Sequence, residues 1–186
     1  MRSKHKEILE KVKNIIEFIS SAKKFSRLIP EVRTNVAVAS PDATSLDDIA
    51  GVDGRITIVQ GMPKAAGPIT FGATNHTGRL LLTARKFDPT ISAVINIRYS
   101  PKLIENLSRT HLLLVEIDRT NQPMETQQTE DSSMSWIINN VYQKYQKIPD
   151  IIWDTGEMGK EPMVRLFAKN SDELIEKIQL ILNLVD

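Results

Sequence analysis

The stretch Ile91–Asp118, "ISAVINIRYSPKLIENLSRTHLLLVEID", decides the fold class. Its opening "ISAVINI" is a β-branched apolar run of strand length, and it turns polar at Asn96, Arg98 and Tyr99. Ser100 then offers a hydroxyl to cap a helix, and Pro101 stands at the first helical position, where a missing N–H leaves nothing unpaired. "PKLIENLSRT" reads as that helix and "HLLLVEID" as a second core strand. A buried strand, a capped helix and another buried strand in succession predict a layered α/β domain, with helices covering both faces of a sheet.

Working outward, the flanking segments repeat the theme. Upstream, "HKEILEKVKNIIEFISSAKKF" sets Ile8, Val12, Ile15, Ile16 and Ile19 at helical spacing among lysines and glutamates, an amphipathic helix of about five turns. "TNVAVAS" and "RITIVQG" read as strands, and "SLDD" as a short helix from Leu46. "TGRLLLTARKF" reads as a helix from Thr77, which puts His76 at a strand-to-helix junction. Downstream, "RTNQPMETQQTEDSS" lacks apolar periodicity and is expected as a surface excursion. "MSWIINNVYQKYQ" is a helix, "PDIIWDTG" and "PMVRLFAK" are strands, and "SDELIEKIQLILNLV" closes the chain as a helix with Ser171 expected at its N-cap.

The totals narrow the chemistry. Among 186 residues, 41% are hydrophobic and 25% charged, as in globular domains. Lys+Arg 24 against Asp+Glu 23 gives a net charge of +1, which makes no electrostatic case for nucleic acid or a membrane surface. The absence of cysteine excludes disulfides, thiolate catalysis and cysteine-held zinc. His5, His76 and His111 are too scattered for a histidine-built metal site, which leaves a hard cation such as Mg²⁺ held by oxygens and phosphate. No apolar run reaches the roughly 20 residues of a membrane span, and a cytoplasmic protein is expected.

Polar residues gather where strands end: at Arg55, in "FGATNH", in "NIRYS" and in "WDTGEMGKEP". Ligand sites of layered α/β proteins lie at such ends. In "FGATNH", Gly72 permits close backbone approach, and Thr74, Asn75 and Thr77 can donate to phosphate oxygens at the start of a helix, with His76 beside the anion. The same residues would serve equally as a plain helix cap. In "WDTGEMGKEP", Gly156 and Gly159 tighten a loop carrying Asp154, Glu157, Lys160 and Glu161; Lys160 suits a phosphate, and a bare hairpin turn is the alternative. Arg98 can clamp an anion and Tyr99 can stack on a heteroaromatic ring, or the strand simply emerges into solvent. There is neither a P-loop nor a Rossmann fingerprint nor a nucleophile elbow. From the residues alone, this is an anion-binding α/β site with an unassigned reaction.

Taken together, "GRITIVQG…AAGPITFGATNH…FDP…AVINIRYS", "DRTNQP", "EDSSMSW" and "PDIIWDTGEMGKEPMVRLFAKN" resemble the ThiN-type, archaeal-type thiamine-phosphate synthase family. The similarity runs from about Ile29 to the C-terminus, which separates residues 1–28, an amphipathic helix or linker, from a synthase domain over residues 29–186. The resemblance implies a three-layer α/β/α sandwich around a large mixed sheet, similar to class II aldolases. It implies condensation of hydroxymethylpyrimidine diphosphate with hydroxyethylthiazole phosphate to thiamine phosphate and pyrophosphate, with Mg²⁺.

It further implies that Arg55 and His76 are the catalytic pair. Gly72, Ala73, Thr74 and Asn75 match the phosphate-proximal loop; Asn96, Arg98 and Tyr99, and Asp154, Gly156, Gly159, Lys160, Glu161 and Pro162, match two further substrate-binding motifs. The metal ligands are not implied. Family members occur alone, fused behind a hydroxymethylpyrimidine kinase through a helix like that at residues 3–25, or behind a DNA-binding domain as thiamine-sensing repressors. A fused kinase and a homodimer are therefore the partners to look for. The competing expectation is a non-catalytic thiamine-phosphate sensor; Arg55 and His76, which the repressor branch tends to lack, favour the enzyme.

Overall fold

The computed structural model describes residues 2–127 and 130–185. Helices α1 (Arg2–Ser21), α2 (His76–Phe87), α3 (Pro101–Leu107), α4 (Met124–Gln127), α5 (Glu130–Tyr145) and α6 (Ser171–Leu184) are interspersed with nine strands. These are β1 (Val36–Ala39), β2 (Ile49–Val52), β3 (Ile56–Val59), β4 (Met62–Ala65), β5 (Ile69–Phe71), β6 (Ala93–Arg98), β7 (Leu114–Glu116), β8 (Ile151–Asp154) and β9 (Met163–Ala168). Seven of them form one sheet in the order β5-β2-β1-β6-β9-β8-β7. Its neighbours are antiparallel apart from the parallel pair β7 and β8, so the sheet is mixed.

The central strands are covered on both sides, and their side chains divide by the alternation of the pleat. Val36, Ile95, Ile97 and Leu166 pack with Ile15 of α1, Leu107 of α3 and Ile178 of α6. Ala37, Val94, Phe167 and Ile152 pack with Leu81 of α2 and Ile138 and Val141 of α5. Two helical layers thus enclose the sheet, as the strand–helix–strand reading predicts. Ser100 caps α3 as expected, its hydroxyl accepting from the Leu103 N–H at 3.1 Å.

Helix α1 is part of this core. Ile8, Val12, Ile15, Ile16 and Ile19 are all buried, in the same cluster as Val36 and Ile178. Each aliphatic side chain removed from water contributes about 2 kcal/mol. Helix α1 therefore belongs to the first helical layer.

Several local expectations are corrected. "RITIVQG" is a strand as read, but not a core one: β3 pairs with β4 in a two-stranded ribbon outside the main sheet, and Ile58 and Val59 are exposed. Positive φ at Gly54 and Arg55 turns the chain away from the sheet before β3. The short helix at Leu46–Asp48 is a single 3-10 turn, followed by the fully buried β2 that the sequence reading did not separate from it. The second apolar run of the opening stretch yields only Leu114–Glu116, a strand at the sheet edge.

Asn170, not Ser171, caps α6: its side-chain oxygen accepts from the Glu173 N–H at 2.9 Å, while Ser171 is already helical. The supposed surface excursion after Asp118 buries Arg119, Gln122 and Ser133, with Gln122 donating to the Ser133 hydroxyl at 3.1 Å. Residues 128 and 129 of that segment lie outside the described residues. Among the described residues, no helix is long and apolar enough to cross a membrane.

Candidate active site

The face of the sheet beneath α2 and α5 changes character along β6 and β9. Val94 stands opposite Phe167 in the ladder, and two residues on, Asn96 stands opposite Arg165. Where α2 ends its cover, the apolar pairs give way to polar ones. Asn96 is held from both sides. Its side-chain oxygen accepts from the Asn35 N–H at 2.7 Å, and its amide donates to the Arg33 carbonyl at 3.0 Å. Over this floor lies a cleft of about 700 Å³, with Arg55, Ala73, Asn75, His76, Asn96, Gly159, Lys160 and Glu161 in its lining. A second cleft, of about 680 Å³ between the Pro41–Thr44 segment and the outer side of α2, is lined by none of the site residues the sequence singles out.

One wall is the start of α2. Gly72, at φ 72, turns the chain out of β5, and Thr74 then drops into the interior between two glycines. A Cβ at Gly51 would stand 2.0 Å from the Thr74 methyl, and one at Gly78 would stand 2.6 Å from its hydroxyl. Thr74 therefore seats the loop; it is buried, does not line the cleft, and its hydroxyl has no hydrogen-bond partner among the described residues. Asn75 occupies the N-cap position, yet its side chain accepts from Arg79 Nε at 2.6 Å instead of capping the helix. The first turn also lacks an acidic residue. The positive end of the helix favours an anion, and Asn75, His76 and Thr77 stand beside it in the lining.

Arg55 arrives from the ribbon side, its guanidinium donating to the Val32 carbonyl. The loop 155–162 forms a further rim. Gly156 at φ 74 leaves no room for a side chain, since a Cβ would lie 2.4 Å from the Lys160 carbonyl oxygen. Backbone bonds of 3.2 and 2.8 Å between Glu157 and Lys160 close the turn, and their side chains form an ion pair. Glu161 ties this rim to the segment ahead of β1, accepting the N–H groups of Glu31 at 2.8 Å and Val32 at 3.1 Å.

Three expected residues have other surroundings. Asp154 is completely buried; it accepts from Arg165 Nη1 at 2.7 Å and from the Gly156 N–H at 2.9 Å, and Arg119 Nε lies 3.4 Å away. Its carboxylate faces arginines, which makes it a positioning residue. Tyr99 points to the opposite face of the sheet and stacks on Trp153 at 5.6 Å, because it follows Ile95 and Ile97 in the alternation. Arg98 shares the face of Asn96 but is exposed at the strand end, away from the lining. Gly72, Gly156 and Pro162 shape the walls without lining them.

Sequence reading missed Arg33, Arg119 and Arg165, all of which line the cleft. Arg165 had a visible signal, a lone charge inside the strand pattern "MVRLFA". Arg119 lies in the "DRTNQP" motif, but its segment carries no periodicity to say which way it faces. Among the described residues, no group of three or more histidines and carboxylates could hold a metal ion.

Comparison with known proteins places this geometry. The family described as Thiamine-phosphate synthase ThiN matches residues 11–180. Thiamine-phosphate synthase ThiN of Methanothermobacter thermautotrophicus is 32% identical over 168 residues, covering 90% of this chain and 88% of that protein. The bifunctional thiamine biosynthesis protein ThiDN of Methanocaldococcus jannaschii is 35% identical over 172 residues, 91% of this chain but 40% of its own length. The crystal structure of the C-terminal domain of a phosphomethylpyrimidine kinase superposes with a TM-score of 0.86 at 37% identity, covering 94% of this chain and 98% of that one. L-fuculose-1-phosphate aldolase of Thermus thermophilus, at 9% identity and a TM-score of 0.53 over 95% of this chain and 92% of its own, shares the fold, which bears out the aldolase-like architecture.

Proposed function

Because the chain belongs to the ThiN thiamine-phosphate synthase family, we infer that it joins hydroxymethylpyrimidine diphosphate to hydroxyethylthiazole phosphate, giving thiamine phosphate and pyrophosphate. The observation that carries this reading is the convergence of Arg55, His76, Asn96 and Lys160, from four separate segments, on one cleft beside the start of α2.

The reaction breaks the bond between the pyrimidine methylene carbon and the diphosphate oxygen, the electron pair leaving with the oxygen. The thiazole nitrogen then gives its lone pair to that carbon. Negative charge grows on the departing diphosphate, so fixed donors aimed at it lower the barrier. In this reading Arg55 and the first N–H groups of α2 bind the diphosphate, and His76 hydrogen-bonds or protonates it as it leaves. Asn96 holds the floor in place, and Lys160 adds a cation at the rim.

A resident metal does not fit these side chains. The carboxylates of Asp154, Glu157 and Glu161 are engaged by arginines, a lysine and backbone N–H groups. Magnesium belongs with the substrate in this reading, chelated by diphosphate oxygens, and chelation of Mg²⁺ by EDTA is expected to abolish turnover while leaving the melting temperature of the free protein unchanged. Cytoplasmic operation is part of the same reading, since both substrates are charged phosphate esters that do not cross membranes unaided. The kinase-fused relatives support a phosphomethylpyrimidine kinase domain as partner, and sedimentation tests for a homodimer.

The decisive assay mixes the protein with both substrates and Mg²⁺ and oxidises the product to fluorescent thiochrome phosphate. Product is expected from the wild type, with a loss of about 100-fold or more for His76→Ala. Tight thiamine-phosphate binding without turnover would favour the sensor.

A further inference from the structure

The cleft contains a second concentration of positive charge, carried by elements other than those of Arg55 and His76. Arg119 comes from the 3-10 turn after β7, Arg165 from the middle of β9, and Lys160 from the 155–162 loop. Against these three cations stand two carboxylates, Asp154 and Glu157, so the cluster keeps one positive charge. Arg119 is 4% exposed and Arg165 6%.

The two arginines are served unequally. Arg165 donates to Asp154 at 2.7 Å, an ordinary charged hydrogen bond. Among the described residues, Arg119 approaches Asp154 at 3.4 Å and Glu157 at 3.7 Å, and its buried Nε makes no hydrogen bond in normal geometry. Burial pushes the Arg119 guanidinium below its ordinary value, and the like charge of Arg165 adds to that push, against the pull of Asp154 and Glu157. It nevertheless stays charged. A buried guanidinium held only at long range, beside a second one and in the wall of a cleft, favours an anion there.

We propose that Arg119, backed by Arg165, is the seat of the phosphate monoester of the thiazole substrate, separate from the diphosphate seat at Arg55 and α2. The proposal rests on the synthase reading, which requires two anionic groups in one cleft. Arg55 stands at the start of the β3–β4 ribbon and Arg165 in the middle of β9 of the main sheet, so the two seats belong to different sheets. Asp154 is then the residue that positions both guanidinium groups.

The test compares hydroxyethylthiazole phosphate with the unphosphorylated alcohol, in wild type and in Arg119→Gln. The expected result is a loss of about 30-fold or more in kcat/KM for the phosphate, with the alcohol and the KM for the pyrimidine diphosphate changed by less than about 3-fold. Equal losses for phosphate and alcohol would make Arg119 merely structural, and a rise confined to the diphosphate KM would move the seat; either overturns the proposal. Should Arg119→Gln fail to fold, Arg119→Lys keeps the charge and loses the fork, and about a 10-fold loss restricted to the phosphorylated thiazole is expected. Calorimetry with hydroxyethylthiazole phosphate alone separates the two levels. Arg119-dependent binding in a protein that makes no product would sink the synthase reading and keep the site. An active wild type whose binding ignores Arg119 would sink the site alone.

Discussion

Arg165 Nη1 lies 2.7 Å from Asp154 Oδ2, and both side chains are out of solvent. The pair joins the middle of β9 to the end of β8, where the strands run antiparallel, and through Arg119 it reaches the turn after β7. One carboxylate thus fixes the back wall of the cleft.

Asp154→Asn removes the charge that two buried guanidinium groups share. Breaking a buried pair by deleting one partner costs about 3–5 kcal/mol. In a domain of this size that lowers Tm by roughly 6–20 °C, read by calorimetry, and turnover falls with it. A shift below about 2 °C would mean that the cluster is solvated and that its charge balance is unimportant.

Arg55→Ala is expected to behave in the opposite way. Arg55 is half-buried and its guanidinium bonds to one backbone carbonyl, so Tm changes little, while kcat/KM falls about 100-fold. Full turnover in the thiochrome assay would remove Arg55 from the diphosphate seat.

Gly78→Ala tests how α2 is seated. The new methyl would lie 2.6 Å from the Thr74 hydroxyl and 2.8 Å from Leu46 Cδ2, in a helix where alanine is otherwise favoured. Overpacking of this kind costs about 1–3 kcal/mol and shifts the loop that carries His76. Gly61→Ala, with nothing within 4 Å of the added carbon but φ at 78, should show only the smaller strain of that backbone. Equal melting shifts in the two variants would refute the steric account.

The acid limb of stability is expected to depend on Lys177. Burial alone would raise the carboxyls of Asp150 and Glu173, but hydrogen bonds and charge from Lys177, with the N–H groups of Leu113 and Lys169, hold both below their ordinary values. A carboxyl depressed in the folded state adds stability that is full above its unfolded pKa, near 4, and lost as pH falls through the depressed value. Tm should therefore drop steeply below about pH 4 in the wild type. Lys177→Met should flatten that drop, and an unchanged pH profile would exclude the coupling.

The sequence by itself determined the α/β class, most helices, the Ser100 cap and the three motif loops that meet at the cleft, because periodicity, caps and turn residues are local. It also carried the family, through motifs spread along nearly the whole chain. Tertiary structure alone decided what those residues face. The pleat sends Asn96 into the cleft and Tyr99 to the far side. Gly51 and Gly78 draw Thr74 inward, and an aperiodic turn delivers Arg119 next to Asp154. Burial and charge pairing between segments far apart in the chain depend on how the sheet is ordered, and no local pattern records that order.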